Sequence, residues 1–271
     1  MTIVFMVYPF LLSVPTAMQN WPGFGDAVWV GWRNFERLAR DPDAVAALGR
    51  TFLYTAGETI GTVGIGLILA VAFHHRIPLT RALKFLAFLP VILPPTFIAL
   101  AWRQALDPNF GWLTHMLAAV NAEWGRSWLD DPSASLPIVI VVGVLQYAGI
   151  PMVLFLSALG DIPQEINEAA TLDGVSGWQR MIHVTIPLIR DVLIIVVGLQ
   201  MVANFKFLDS VWALTRGASG SDILPTFIYR QAFSSSDFGY ASAAAIVTTG
   251  VILVVSMTYT FFFRPSRMDR L

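Results

Sequence analysis

From Phe238 to Phe263 the chain carries no charged side chain, and this constrains its folding more than any other feature. The hydrocarbon core of a bilayer, about 30 Å thick, takes a helix of about 20 apolar residues. Inside lipid the backbone must satisfy its own hydrogen bonds, so such a run is a helix rather than a loop or an open strand. Five further stretches follow the same pattern. Leu136 to Leu159 and Phe85 to Ala101 are also free of charge, and Thr51 to Phe73 carries only Glu58. The remaining two are Thr2 to about Met18 and Pro187 to Leu208. Hydrophobic residues make up 56% of the 271 and charged ones 13%, against roughly 25% charged in an ordinary soluble domain. The chain therefore reads as an all-α, polytopic membrane protein with six transmembrane helices. No Pro/Gly/Ser linker or composition shift divides residues 1–271, so a single transmembrane domain is expected, with spans two to six over about 51–263.

The opening residues show neither a basic n-region nor a small-residue cleavage site, so the first stretch is expected to be a retained span rather than a signal peptide. Six spans put both termini on one side. Arg76, Arg81 and Lys84 crowd one short loop and Arg264, Arg267 and Arg270 the C-terminal tail, which favours a cytoplasmic location for both termini. A net charge of -1 excludes a strongly basic nucleic-acid surface. With no cysteine there is neither a disulfide framework nor a thiolate metal site. His74, His75, His115 and His183 show no ligand spacing with carboxylates, and no metal or cofactor is expected.

Several stretches break the regular pattern. Between Asp191 and Lys206 the fifth span has an uncharged core of roughly 21 Å at about 1.5 Å per residue, so polar groups enter the membrane zone or the helix breaks. Pro90, Pro94 and Pro95 interrupt the third span and remove backbone donors. A kinked packing helix and a break that lines a cavity are both open readings. Between the first two spans, the Asn34-Phe35 start and the Asp41-Pro42-Asp43 turn predict short helices on the membrane surface. Trp112, Trp124 and Trp128 in the loop from about Leu106 to Ser135 suit a membrane interface. After a flexible "TRGASGSD", the segment "ILPTFIYRQAF" is expected to form a re-entrant or surface helix. Glu58 and Lys206 are costly at membrane depth unless paired or wet, and both are expected near the outer surface.

The most informative departure lies between Asp161 and Pro187. Asp161 and Gln164 match a capping box with Pro163 in the first turn, and Asp173-Gly174 supplies a helix stop near Leu172. Ser176 and Gln179 form a second capping box, so a helix–turn–helix hairpin is predicted. Ala169 and Ala170 allow another backbone to approach closely, while Glu165, Glu168 and Asp173 offer acidic contacts. On the residues alone, a plain connection between two spans and a docking surface for a cytosolic partner are both open.

The spacing adds a resemblance. Glu168-Ala169-Ala170, Gly174, then nine residues and Val184-Thr185-Ile186-Pro187 resembles the EAA loop, E-A-A-x3-G-x9-I-x-L-P, of permease subunits of bacterial ATP-binding-cassette (ABC) importers. Val184 and Ile186 stand where that pattern has Ile and Leu. The stretches "VGWRNFERL", "FLPVILPPTFIALAWRQALDPNFG", "IPQEINEAATLDG" and "FGYASAAAIV" extend the resemblance over nearly the whole chain, toward the maltose-type and glycerol-phosphate-type carbohydrate branch in its six-span form. The sequence opens without the polar tail usual in that family, so either the tail is absent or the start lies upstream of Met1. The resemblance implies the type I importer permease fold, with residues 161–187 as a cytoplasmic coupling hairpin docked into a cleft of a cytosolic ABC ATPase dimer. It also implies a second homologous permease subunit, an extracytoplasmic sugar-binding protein and a small-molecule sugar as cargo. Glu165, Glu168, Ala169, Ala170, Asp173, Gly174 and Pro187 would form the coupling site.

A sugar route through lipid needs amide, hydroxyl and aromatic groups facing a cavity. Gln146 and Tyr147 occur mid-span in the fourth stretch, and Gln200 and Asn204 share one face of the fifth. In the family that the chain resembles, the sugar-lining positions fall in these two helices, and Asn204 is the closest match. Packing between helices explains the same amides equally well.

Other functions leave marks that this chain lacks. The only lysines, Lys84 in "ALKF" and Lys206 in "NFKF", do not belong to a phosphate-cradling G-x4-G-K-[ST] loop, so ATP is expected to bind a different chain. An ion-coupled secondary transporter would want an inverted repeat and mid-membrane ionisable groups. No G-x-S-x-G, H-E-x-x-H or paired intramembrane aspartates suggest an enzyme. A non-catalytic transport subunit of a bacterial cytoplasmic membrane remains.

Overall fold

The computed structural model describes residues 5, 7–74, 80–172 and 175–263, the side chains of 167 and 170–172 excepted. The Asp173-Gly174 turn, Arg76, the three C-terminal arginines and the start of the first apolar run lie outside the described residues.

The chain enters through α1 (Tyr8–Ala17), a two-residue antiparallel bridge pairing β1 (Gln19–Asn20) with β2 (Val28–Trp29), and α2 (Arg33–Arg40). Then comes α3 (Pro42–His74), a helix of 33 residues. A surface helix separate from a span beginning at Thr51 was the sequence expectation, and here the structure differs. The Asp41 carboxylate accepts from the backbone N–H of Asp43 at 2.9 Å, and Pro42 follows at the position where its missing N–H is harmless. Only glycines interrupt the next turns, and they weaken a helix without ending it.

Three hydrophobic clusters form in succession along α3. Ala44 and Ala47 join Leu38, Leu224, Phe227 and Tyr240. Tyr54 joins Val139, Val142, Val211 and Leu214. Val63 and Ala70 join Met152, Phe155, Ile189 and Val196. A single long helix thus organises the other elements. Among the described residues, α3 and α15 (Phe238–Phe262) are each long and apolar enough to cross a membrane unaided.

Three further apolar stretches are bent pairs. α4 (Thr80–Ile92) and α5 (Pro95–Ala105) meet at 98°, where Pro94 and Pro95 deny two successive backbone donors. α7 (Ser135–Tyr147) and α8 (Gly149–Gly160) meet at 45°. The second break packs against the body of α4: a Cβ on Gly149 would lie 3.0 Å from the Ala87 carbonyl oxygen and 3.1 Å from the Phe88 Cα. The segment from Gly177 to Leu188 meets α12 (Arg190–Asn204) at 74°, so the short fifth stretch does break. Its described part opens with α10 (Gly177–Arg180), a wide π turn over Met181–Thr185 and α11 (Ile186–Leu188). The wide turn has a cause: the Pro187 ring clashes with the carbonyl four residues earlier in a regular helix, and a π turn relieves that clash. The first apolar run contributes the ten described residues of α1, less than one crossing.

The remaining elements lie between these. α6 (Trp112–Val120) lies in the loop that carries Trp112, Trp124 and Trp128, α9 (Gln164–Leu172) follows α8, and α13 (Asp209–Thr215) and α14 (Leu224–Tyr229) follow α12. The helix expected from "ILPTFIYRQAF" is α14 with its π extension to Ser234. Arg230 pairs with Asp222 at 2.7 Å. Burial pushes the Asp222 carboxyl up, while Thr226 and Arg230 oppose the shift. At the start of α15, Asp237 accepts from the Tyr240 backbone N–H and pairs with Arg37, fastening α2 to the last long helix.

Candidate functional site

Two places gather the residues that the sequence singled out. The first is the segment from α9 to α11. α9 begins directly after Pro163, but the Asp161–Gln164 box does not form. Asp161 closes α8 in a right-handed conformation, and the Gln164 amide turns forward to donate to Glu168 Oε1 at 2.8 Å. A helix-surface contact four residues on thus takes up the side chain that was expected to reach back. The second box does form. Ser176 Oγ accepts from the Gln179 N–H at 3.3 Å, and Gln179 Oε1 accepts from the Ser176 N–H at 3.0 Å.

Glu165, Glu168, Ala169 and Pro187 are all exposed. Ala170 belongs to α9, but its side chain is outside the described set, as are Asp173 and Gly174 altogether. Trp178, which the sequence reading passed over, is 74% exposed one residue beyond the capped start. Ile182 and Leu188 are also exposed, whereas Ile189 is buried among Phe155, Leu159 and Val196. The described residues from α9 to α11 therefore offer exposed side chains, while the chain that leaves them is anchored at the bend before α12.

The second place is a polar seam inside the helices. Asn204 is buried on α12, and its Nδ2 donates to Thr59 Oγ1 on α3 at 3.1 Å. Gln200 lies one turn earlier and is also buried. Gln146 near the end of α7 accepts from Ser210 Oγ on α13 at 3.3 Å, while its Nε2 has no hydrogen-bond partner. Tyr147 is half-buried and meets the Phe207 ring edge-on, with centroids 5.2 Å apart. Asn204 thus falls at the contact of α12 with α3, Gln146 at that of α7 with α13, and Tyr147 against the segment that joins α12 to α13.

Lys206 is exposed, whereas Glu58 is fully buried, with neither carboxylate oxygen hydrogen-bonded among the described residues. Its surroundings were partly legible: Thr51, Thr55, Glu58, Thr59 and Thr62 recur at helical spacing and form one buried face of α3. Thr51 and Thr62 donate to Ala47 O and Glu58 O on their own helix, each at 2.7 Å, which leaves Thr59 to receive Asn204. Among the described residues there is no cluster of three or more metal-ligating side chains. What the seam offers chemically is hydrogen bonding.

Residues 62–267 match the family described as "Binding-protein-dependent transport system inner membrane component". A probable ABC transporter permease protein of Bacillus subtilis, YurN, is 30% identical over 98% of this chain and 94% of its own length. The diacetylchitobiose uptake system permease protein NgcF of Streptomyces coelicolor is 28% identical over 93% of this chain and 76% of its own. Among solved structures, the fold is similar to a chain of a bacterial alginate ABC transporter in complex with an alginate-bound periplasmic protein. That likeness has a TM-score of 0.86 at 19% identity and covers 97% of this chain and 90% of the other.

Proposed function

The chain belongs to the family of binding-protein-dependent transport system inner membrane components, and from that premise we propose which sugar-import machinery its two sites serve. As a family member it is an inner-membrane, multi-pass permease subunit of an ABC importer. Carbohydrate is the cargo class. Relatives named as uptake permeases for diacetylchitobiose and multiple sugars agree with that reading, and so does a seam of buried hydrogen-bonding side chains.

In this reading the exposed hairpin from α9 to α11 is the coupling arm that docks into a cytosolic ATPase dimer. Its carrying observation is the exposed apolar surface at Trp178, Ile182 and Leu188, set on a capped helix and joined to the buried bend at Ile189. Exposed aromatic and aliphatic groups of this kind mark partner sites, and Ala169 and Ala170 suit close backbone approach. Glu165, Glu168, Asp173, Gly174 and Pro187 complete the arm. Both termini then face the cytoplasm and the first apolar run completes a sixth span. A second homologous permease lines the other half of the path, and an extracytoplasmic binding protein delivers the sugar.

Asn204, Gln146, Tyr147 and Gln200 line the path. ATP binding closes the ATPase dimer and moves the arm, and the 74° bend passes that movement to α12. Such coupling requires the closed ATPase to favour one permease conformation over the other. No covalent step falls to this chain. The Glu168→Lys variant tests the arm: sugar uptake is expected to fall to background and the ATPase to be lost on copurification. Normal uptake with a retained ATPase would refute the docking.

A further inference from the structure

The contact between α3 and α7 holds polar atoms that the described residues leave unsatisfied. Thr55 Oγ1, both oxygens of Glu58 and Gln146 Nε2 are buried without a hydrogen-bond partner. They belong to one neighbourhood. Thr55 and Glu58 lie three apart on α3, and Glu58 rests on Gly143 of α7, where an added Cβ would stand 2.5 Å from its Oε1. Gln146 comes three residues after Gly143, on the same side of that helix.

Glu58 also lacks a cation. None of the ion pairs among the described residues includes it. The Tyr54 hydroxyl approaches the carboxylate, and the Tyr147 phenol is its other electrostatic neighbour, yet neither oxygen completes a hydrogen bond. Packing alone gives no reason to retain such a group, since an apolar residue of similar volume would fill the space over Gly143 without desolvating a carboxyl. An unpaired ionisable residue at membrane depth is by default a functional one.

The unsatisfied atoms also indicate their complement. Glu58 presents acceptors only when ionised, Gln146 Nε2 presents donors, and a threonine hydroxyl does both. A molecule with several O–H or N–H donors, some acceptors and no negative charge fits that set. We propose that Glu58 contacts the cargo and sets its charge class: the path admits neutral or amino sugars and rejects uronates and other anionic sugars. The carboxylate accepts from cargo hydroxyl or ammonium donors once the seam opens, and it repels a cargo carboxylate in surroundings that screen charge poorly. This rests on the carbohydrate reading above and deepens it.

The test uses the assembled transporter in nanodiscs with the binding protein omitted, so that any selectivity belongs to the membrane subunits. Equilibrium binding is measured for maltose, a glucosamine disaccharide and a mannuronate disaccharide. The native complex is expected to bind the better of the first two at least about tenfold more tightly than the mannuronate. Glu58→Gln keeps the shape and removes the charge, and is expected to bring that preference below about threefold. Glu58→Asp keeps the charge and is expected to keep the rejection; where the Gln variant fails to assemble with the ATPase, loss of rejection by the Asp variant overturns the proposal. An assembled Glu58→Gln complex with an unchanged preference also overturns it, as does a native complex that binds mannuronate equally well; both outcomes leave the sugar reading standing. A native complex that binds none of the three overturns the sugar reading together with this inference.

Discussion

At the scale of single residues, the contact between α3 and the bent α7–α8 pair depends on side chains that are absent. Added Cβ atoms on Gly57 and Gly61 would meet the Ile140 and Val144 side chains, β-branched groups that are stiff at χ1 in a helix. Gly66 is different. Its added Cβ would lie 2.9 Å from the Met152 backbone nitrogen and 3.0 Å from the Ala148 carbonyl oxygen, and backbone at a helix break cannot turn aside. Gly66→Ala is therefore expected to cost about 1–3 kcal/mol, the usual range for overpacking, seen as a lower melting temperature of the solubilised complex. Gly64, with nothing within 4 Å of an added Cβ, is the control. Gly64→Ala is expected to be neutral or to stabilise by up to about 1 kcal/mol through helix propensity.

Among the elements, breaks and caps carry the mechanics. Proline accounts for the bend between α4 and α5 and for the wide turn before α11, and both were visible in the sequence as Pro90, Pro94, Pro95 and Pro187. The angles were not, because a proline removes a donor without saying where the next helix packs. Of the two capping boxes read from the sequence, only Ser176–Gln179 forms. Gln164 had two partners within reach, Asp161 behind and Glu168 ahead, and local spacing cannot rank them. Ser176→Ala is expected to cost about 1 kcal/mol and to speed amide exchange at Gln179. A loosened α10 would also hold the ATPase less firmly on copurification, whereas unchanged exchange would mean that the cap contributes no stiffness.

At the level of the whole molecule, the proposed coupling arm would turn a partner's motion into a change of access, so transport is expected to depend on that partner. With the ATPase subunit removed or catalytically dead, uptake into intact cells is expected to vanish. Persistence driven by an ion gradient would favour the secondary-transporter alternative. The same dependence explains why the chain carries an uncovered hairpin and no phosphate-binding loop.

The sequence by itself determined the class. Uncharged apolar runs exclude any solvent but lipid for most of the chain, and the spaced Glu168-Ala169-Ala170, Gly174 and Pro187 pointed to the importer family by resemblance to its loop motif. Only the tertiary structure decided which polar groups meet. Thr59 with Asn204 and Gln146 with Ser210 are partners distant in sequence, brought together by helix packing. Glu58 shows the difference most clearly: a lone charge in an apolar run can equally face headgroups at a span's end or lie buried in the interior. The rotation of α3 against α7, set by the small Gly143, places it inside.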